Sequence, residues 1–262
     1  MSTAPLSIDT GRPGIPFPRL VKVELRKMFN TRSGFWLGAS IIIIATLAVL
    51  SVIAFVPDEG ITYEFFGGAL GTPMALLLPI VAILLVTSEW SQRTGLTTFA
   101  LVPHRGAVIG AKAAASVIVA IVSMAIAFAI AALGNVVGAA VNGLDPVWNL
   151  DVQDILLFVL GNIFGLMIGF MFGVLFRNPA AAIVAYLVYS FVLPGILALL
   201  AALQDWFADL QPWVDFGAAQ APLISDGSLD GEQWAQLGTS GLIWFVIPLA
   251  FGIWSVLRSE VK

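Results

Sequence analysis

Glu89, Arg93, His104, Arg105 and Lys112 crowd into one stretch, SEWSQRTGLTTFALVPHRGAVIGAK (residues 88–112), that lies between two long apolar runs. Glu89 and Arg93 are four residues apart, in the order that favours an ion pair along a helix. His104 is the sole histidine. A metal centre needs several ligands at suitable spacing, and none accompanies it, so it reads as a solvated side chain. The chain has no cysteine, hence no thiolate nucleophile, disulfide or thiolate-held metal. None of Lys22, Lys27, Lys112 and Lys262 closes a glycine-rich phosphate loop. One histidine also excludes a His-based metalloprotease. No carboxylate sits mid-way along an apolar run, which argues against an intramembrane proton relay. The residues therefore read as a device for contact rather than catalysis: not an enzyme, with no cofactor bound by this chain.

The elements around this device are apolar helices. Of 262 residues, 59% are hydrophobic and 11% charged, against about 25% charged in soluble domains. That is the composition of an integral membrane protein. The net charge of −4 speaks against nucleic acid as a partner. Six stretches lack Asp, Glu, Lys and Arg and are long enough to span: Ser33–Pro57, Phe65–Ser88, Ala113–Leu144, Ile155–Phe176, Asn178–Gln204 and Gln233–Leu257. The expectation is an all-α fold with six transmembrane helices and both termini on one side. All twelve basic residues fall on that side, and the other three loops carry acids alone. By the positive-inside rule that side is cytoplasmic. Residues 88–112 are then cytoplasmic too, since burying their four charges in lipid would cost about 3 kcal/mol each.

Finer features follow from local pattern. Residues 1–16 are polar and rich in Pro and Gly and read as a disordered tail. Residues 17–32 read as an interfacial amphipathic helix, with Val21, Leu25, Met28 and Phe29 on one face and Lys22 and Arg26 on another. Residues 33–262 form the transmembrane domain. Within residues 88–112, Gly95 ends a first helical turn, and Thr94 caps a short helix over Leu96–Val102 that Pro103 closes. Arg105 and Lys112 anchor span three at the headgroups. A solvated loop and a docking element both fit this pattern.

In span four, Gly161, Gly165, Gly169 and Gly173 recur every fourth residue and offer a face for close helix packing; Leu166 is expected to point elsewhere. Pro194 and Gly195 bend or break span five, and mark a gate near the outer side or a tolerated kink. Trp206, Phe207, Trp213 and Phe216 in the last outer loop suggest short helices at the interface. Asn135 and Asn162 are expected to make helix-to-helix hydrogen bonds.

The 88–112 stretch resembles the segment between spans two and three of ABC-2 type permeases, the membrane subunits of one class of ATP-binding cassette transporters. The matching residues are Glu89, Gly95 with Thr97 and Thr98, Leu101, Pro103, Arg105 and Lys112, with Leu96 where many members carry Thr. VELRKMFNTRSGFW (residues 23–36) resembles the family's approach to span one. The resemblance implies a multi-pass permease subunit in a bacterial cell membrane, an exporter that moves its substrate across the membrane using ATP hydrolysed by a separate partner subunit. It implies a coupling helix that sits in a cleft of the ATPase, using Glu89, Arg93, Gly95, Leu96, Phe99, Pro103 and Arg105. Lys22, Leu25, Arg26, Met28 and Phe29 would belong to the connecting helix. Implied partners are ATP-binding cassette subunits, which bind ATP and Mg, and a second permease copy in a homodimer or heterodimer. A non-transporting membrane scaffold or sensor is the competing reading.

The charge asymmetry fixes a topology that labelling checks. Single cysteines at Ser91, Ser225 and Ser259 are to be probed with an impermeant thiol reagent on intact cells. Ser225Cys is expected to react from outside, and Ser91Cys and Ser259Cys only after lysis; external labelling at Ser91 would overturn the orientation.

Overall fold

The computed structural model describes residues 15–30, 32–92, 98, 102, 104–225 and 228–258. Among these the chain is all-α, and pairing of extended backbone is confined to an isolated parallel bridge between Thr62 and Val147. A first helix, α1 (Phe17–Phe29), has prolines before and within its first turn, where a missing N–H does no harm. It stops at Asn30, and α2 (Arg32–Phe55) begins two residues on. The expected 17–32 helix is therefore shorter at its end. Five more long helices follow: α3 (Tyr63–Ser91), α4 (Arg105–Asn142), α5 (Val152–Phe176), α6 (Pro179–Leu203) and α10 (Gly231–Arg258). With α2, these are six helices long and apolar enough to cross a bilayer, as in a multi-pass membrane protein.

The helix ends differ from the charge-free runs for one reason. Charged residues bound the charge-free runs, whereas the helices continue through them. Helix α3 continues past Glu89 to Ser91, and α4 starts at Arg105, well before Lys112. Paired charges need not leave the helix, so they do not end it. Elsewhere local chemistry sets the ends. Thr62 caps α3 by accepting from the Phe65 N–H. Gly143, at φ 67°, closes α4 in the left-handed conformation that suits glycine. Asp151 and Asp154 form a capping box at the start of α5.

Helix α3 lies at the centre. Phe66, Leu70, Met74 and Leu78, one per turn, are buried along it. Helix α5 packs closest to it. A Cβ on Gly169 would lie 2.6–2.7 Å from the backbone and ring of Pro79, and one on Gly173 would meet Val86 at 3.1 Å. The glycine row is not one flat face, however. Gly165 has nothing within 4 Å, and Gly161 meets only Leu223, at 3.8 Å. Steps of four residues drift about 40° each on a helix of 3.6 residues per turn, so the row turns away from α3. Leu166, expected to point elsewhere, is fully buried in the core.

Pro79, Pro194 and Pro248 are each accommodated within their spans. Pro79 lacks the N–H that would serve the Ala75 carbonyl, and the Tyr186 hydroxyl of α6 donates to that carbonyl at 2.6 Å. Pro194 does not break α6. A π-helical segment, Val188–Val192, precedes it and absorbs the misfit. Helix α10 does the same with Leu242–Val246 ahead of Pro248. Tyr189 and Trp244, one from each π-helical segment, pack with ring centroids 5.5 Å apart.

Among the described residues the stretch between α6 and α10 forms three short helices, α7 (Asp205–Val214), α8 (Phe216–Gln220) and α9 (Pro222–Ser225). Phe207 of α7 and Phe216 of α8 are buried, and Trp206 is exposed. Buried Asp215 caps α8 through the N–H groups of Gly217 and Ala218. Trp244 Nε1 donates to the Val214 carbonyl at 2.6 Å and ties this layer to α10. Among the described residues neither span asparagine bridges two spans. Asn135 donates to the Val147 carbonyl in the loop between α4 and α5, and Asn162 to the Phe158 carbonyl in its own helix.

The two central glycines separate cleanly by experiment. Gly169→Ala is expected to destabilise the protein in detergent by about 1–3 kcal/mol through overpacking against Pro79. Gly165→Ala is expected to leave the melting temperature unchanged or raise it. Equal shifts would show that the α3–α5 contact is looser than described.

Candidate functional site

Four charged side chains converge where α1, the end of α3 and the first part of α4 meet. On α1, Leu20 and Glu24 are one turn apart and both buried, and Lys27 follows on the same side, half-exposed. Glu89 comes from the last turns of α3 and Lys112 from the third turn of α4. Glu24 Oε1 accepts from Lys27 Nζ at 2.8 Å, and its Oε2 from Lys112 Nζ at 2.6 Å. Glu89 Oε1 accepts from Lys27 Nζ at 2.8 Å and lies 3.2 Å from Lys112 Nζ. Its Oε2 accepts from the Thr98 hydroxyl at 2.8 Å. Lys112 also donates to the Leu85 carbonyl at 3.2 Å.

The arrangement is a closed ring of alternating charge, two carboxylates and two ammoniums. Three members are almost inaccessible, with side chains 4% (Glu24), 2% (Glu89) and 3% (Lys112) exposed. Removing such charges from water is costly, and the opposite charges and hydrogen bonds offset that cost. For Lys27, burial works to lower the pKa. The hydrogen bonds and charges of Glu24 and Glu89 outweigh it, so the ammonium titrates above the usual lysine value.

Several expectations are thereby corrected. Lys112 is not a headgroup anchor but the buried hub of the ring. Glu89 finds its described partners across the fold, in Lys27, Lys112 and Thr98, rather than only one turn along its own helix. Arg93, Gly95, Leu96, Phe99 and Pro103, and with them the Glu89–Arg93 pair, lie outside the described residues. Of the expected short helix, Thr98 is helical and its carbonyl accepts from the Val102 N–H at 2.9 Å. Arg105 donates to the Val256 carbonyl near the end of α10 at 3.1 Å. Lys22 and Arg26 are exposed on α1, while Leu25 and Met28 are partly buried. Phe29 ends α1. Pro194 and Gly195 take no part in the ring.

A second contact stiffens the same end of the bundle. Arg177, the residue after α5, has φ 54°, and its guanidinium donates to Ser255 Oγ of α10 at 2.8 Å. Arg258 stacks over the Trp254 ring at 4.6 Å. Glu24, Lys27 and Lys112 were missed as a group. One signal was available: Glu24 and Glu89 are acids within segments otherwise marked by Lys and Arg. Chemically the ring is neutral and its carboxylates are engaged, which suits holding elements together. Among the described residues no group of three or more His, Cys, Asp or Glu could hold a metal.

No protein-family model matches the chain, and no curated protein matches it.

Breaking the ring from one side is expected to be worse than removing a pair. Lys112→Met leaves two buried carboxylates with one ammonium and should destabilise by about 3–5 kcal/mol in detergent unfolding. Adding Glu24→Leu to that variant should recover much of the loss, because a neutral Glu89–Lys27 pair remains. Additive losses in the double variant would contradict the ring.

Proposed function

We propose that this chain is the permease subunit of an ABC-2 type ATP-binding cassette transporter, working as an exporter in a bacterial cell membrane. ATP and Mg would be bound by separate ATPase subunits on the cytoplasmic side, and a second permease copy would complete the pathway. Residues 88–103 would dock in the ATPase as the coupling helix, and α1 would serve as the connecting helix beside it.

The observation that carries this reading is the bridge made by Glu89. One oxygen holds Lys27 of α1, and the other holds Thr98, nine residues on in the polar segment. A push on that segment would therefore be felt by α1, by α3 and, through Lys112, by α4. A solvated loop would need no such tie. The resemblance of residues 88–112 and 23–36 to the family supplies the partner, and the lack of a phosphate loop in this chain agrees with ATP being bound elsewhere.

The test separates docking from folding. Glu89→Lys would place a third ammonium in the ring and disturb the fold itself, so Gly95→Pro and Phe99→Glu are the better probes. Both are expected to insert and melt like the parent. Both should lose co-purification with a tagged ATPase subunit, or lose stimulated phosphate release, by about tenfold or more, equivalent to at least about 1.4 kcal/mol. Asp209→Lys, exposed on the outer helix α7, should leave both readouts unchanged. Parent-like behaviour of the two probes would sink the coupling role. Co-purification without stimulated hydrolysis in the parent would favour the scaffold reading.

A further inference from the structure

Beside the ion ring lies a cavity of about 720 Å³, between α1, the start of α2 and the last third of α3. Its walls are apolar, with Leu20 and Val23 from α1 and Val81, Leu84 and Leu85 from α3. Its charged lining is Arg19, Glu24, Lys27 and Glu89, with Asn30 and Gln92 as further polar groups. From Gln92 to Val81 is eleven residues, or about 16 Å of helix. That is roughly half of a bilayer core of about 30 Å. A second, almost wholly apolar cavity of about 300 Å³ shares Met28, Gly34 and Val81 with the first, and extends along Gly38 and Ile42 of α2 and Ile118 and Val122 of α4. The two together make an apolar slot that begins at the basic edge of the bundle and runs inward from it.

The charge at the mouth is directional. Glu24 and Glu89 are already matched by Lys27 and Lys112. An ammonium has three donors, and Lys27 spends one on each carboxylate. Its half-exposed side chain lines the cavity with a donor to spare. Arg19, exposed on α1, lines the same cavity and adds a further positive charge. A ligand that fits must be apolar over the depth of one leaflet and anionic at its head. We infer that this slot holds an anionic phospholipid of the leaflet on the basic side, with its acyl chains between α1, α2 and α3 and its phosphate at Arg19 and Lys27. Basic pockets between membrane helices bind acidic headgroups by the same logic. The inference is independent of the transporter reading, since it needs only the bundle and the membrane.

Such a lipid would wedge between α1 and the spans on the same side as the ion ring, whose Glu24, Lys27 and Glu89 line the cavity. It would also make the stability of α1 depend on the composition of the leaflet.

Native mass spectrometry of the full chain, released from bilayers of equal phosphatidylglycerol and phosphatidylcholine, tests this. The parent is expected to retain phosphatidylglycerol over phosphatidylcholine by roughly fivefold, for the one added charge of Arg19, Lys27 being balanced within the ring. Arg19→Glu, at an exposed position, should fold normally and lose that preference. Leu84→Trp should fill the slot and lower retention of either lipid, with the melting temperature recording that the bundle is intact. Glycerol phosphate, which has the head without the chains, should not displace the lipid at millimolar concentration. Retention that is unselective in the parent, or unchanged in Arg19→Glu, would overturn the assignment. So would displacement by glycerol phosphate, which would mark a site for free phosphate instead.

Discussion

An ammonium at the edge of an apolar bundle needs carboxylates close by, and Lys112 has two. Glu24 reaches it from α1 and Glu89 from α3, at 2.6 and 3.2 Å. Taking these groups out of water without partners would cost several kcal/mol per ion. Their pairing therefore fixes how the amphipathic helix sits. Helix α1 is not free to lie anywhere on the membrane surface, because Glu24 must meet Lys112 and Lys27 must reach Glu89. The same pairing lets α3 and α4 carry charge near their ends without ending as helices.

Around this constraint the bundle is built on α3. Gly169 and Gly173 let α5 approach its backbone, and the Tyr186 hydroxyl from α6 serves the carbonyl that Pro79 leaves unserved. Prolines elsewhere are absorbed by π-helical segments in α6 and α10, joined by Tyr189 and Trp244. The outer layer hangs on Trp244 through the Val214 carbonyl. The basic end and the opposite end are thus organised by different chemistry, ion pairs at one and aromatic packing with single hydrogen bonds at the other.

Much of this was legible in the sequence. Apolar length alone gave the six spans, since about 20 residues are needed to cross the bilayer and helices are the economical way to satisfy the backbone there. The amphipathic helix and the short outer helices were legible from their residue patterns. What composition could not supply was partner choice. Glu89 and Arg93 satisfy the local spacing rule, but Lys27 is 62 residues away in the chain and Lys112 is 23, and no spacing rule links them. The glycine row misled in part because a step of four residues is not a whole turn. Pro194 left a gate-side break and a tolerated kink both open, because a π-helical segment, which accommodates the misfit within one continuous helix, carries no sequence signature of its own.

Amide hydrogen exchange across residues 17–29 tests most directly whether the ion ring holds α1 in place. In the parent, these amides should be protected to a degree comparable with the end of α3. In Lys112→Met, protection should fall across 17–29 while the middle of α3 and α5 stays protected, because local opening of one element need not unfold the rest. Unchanged protection of α1 in that variant, or loss spread evenly over every span, would contradict a ring that holds α1 to the bundle.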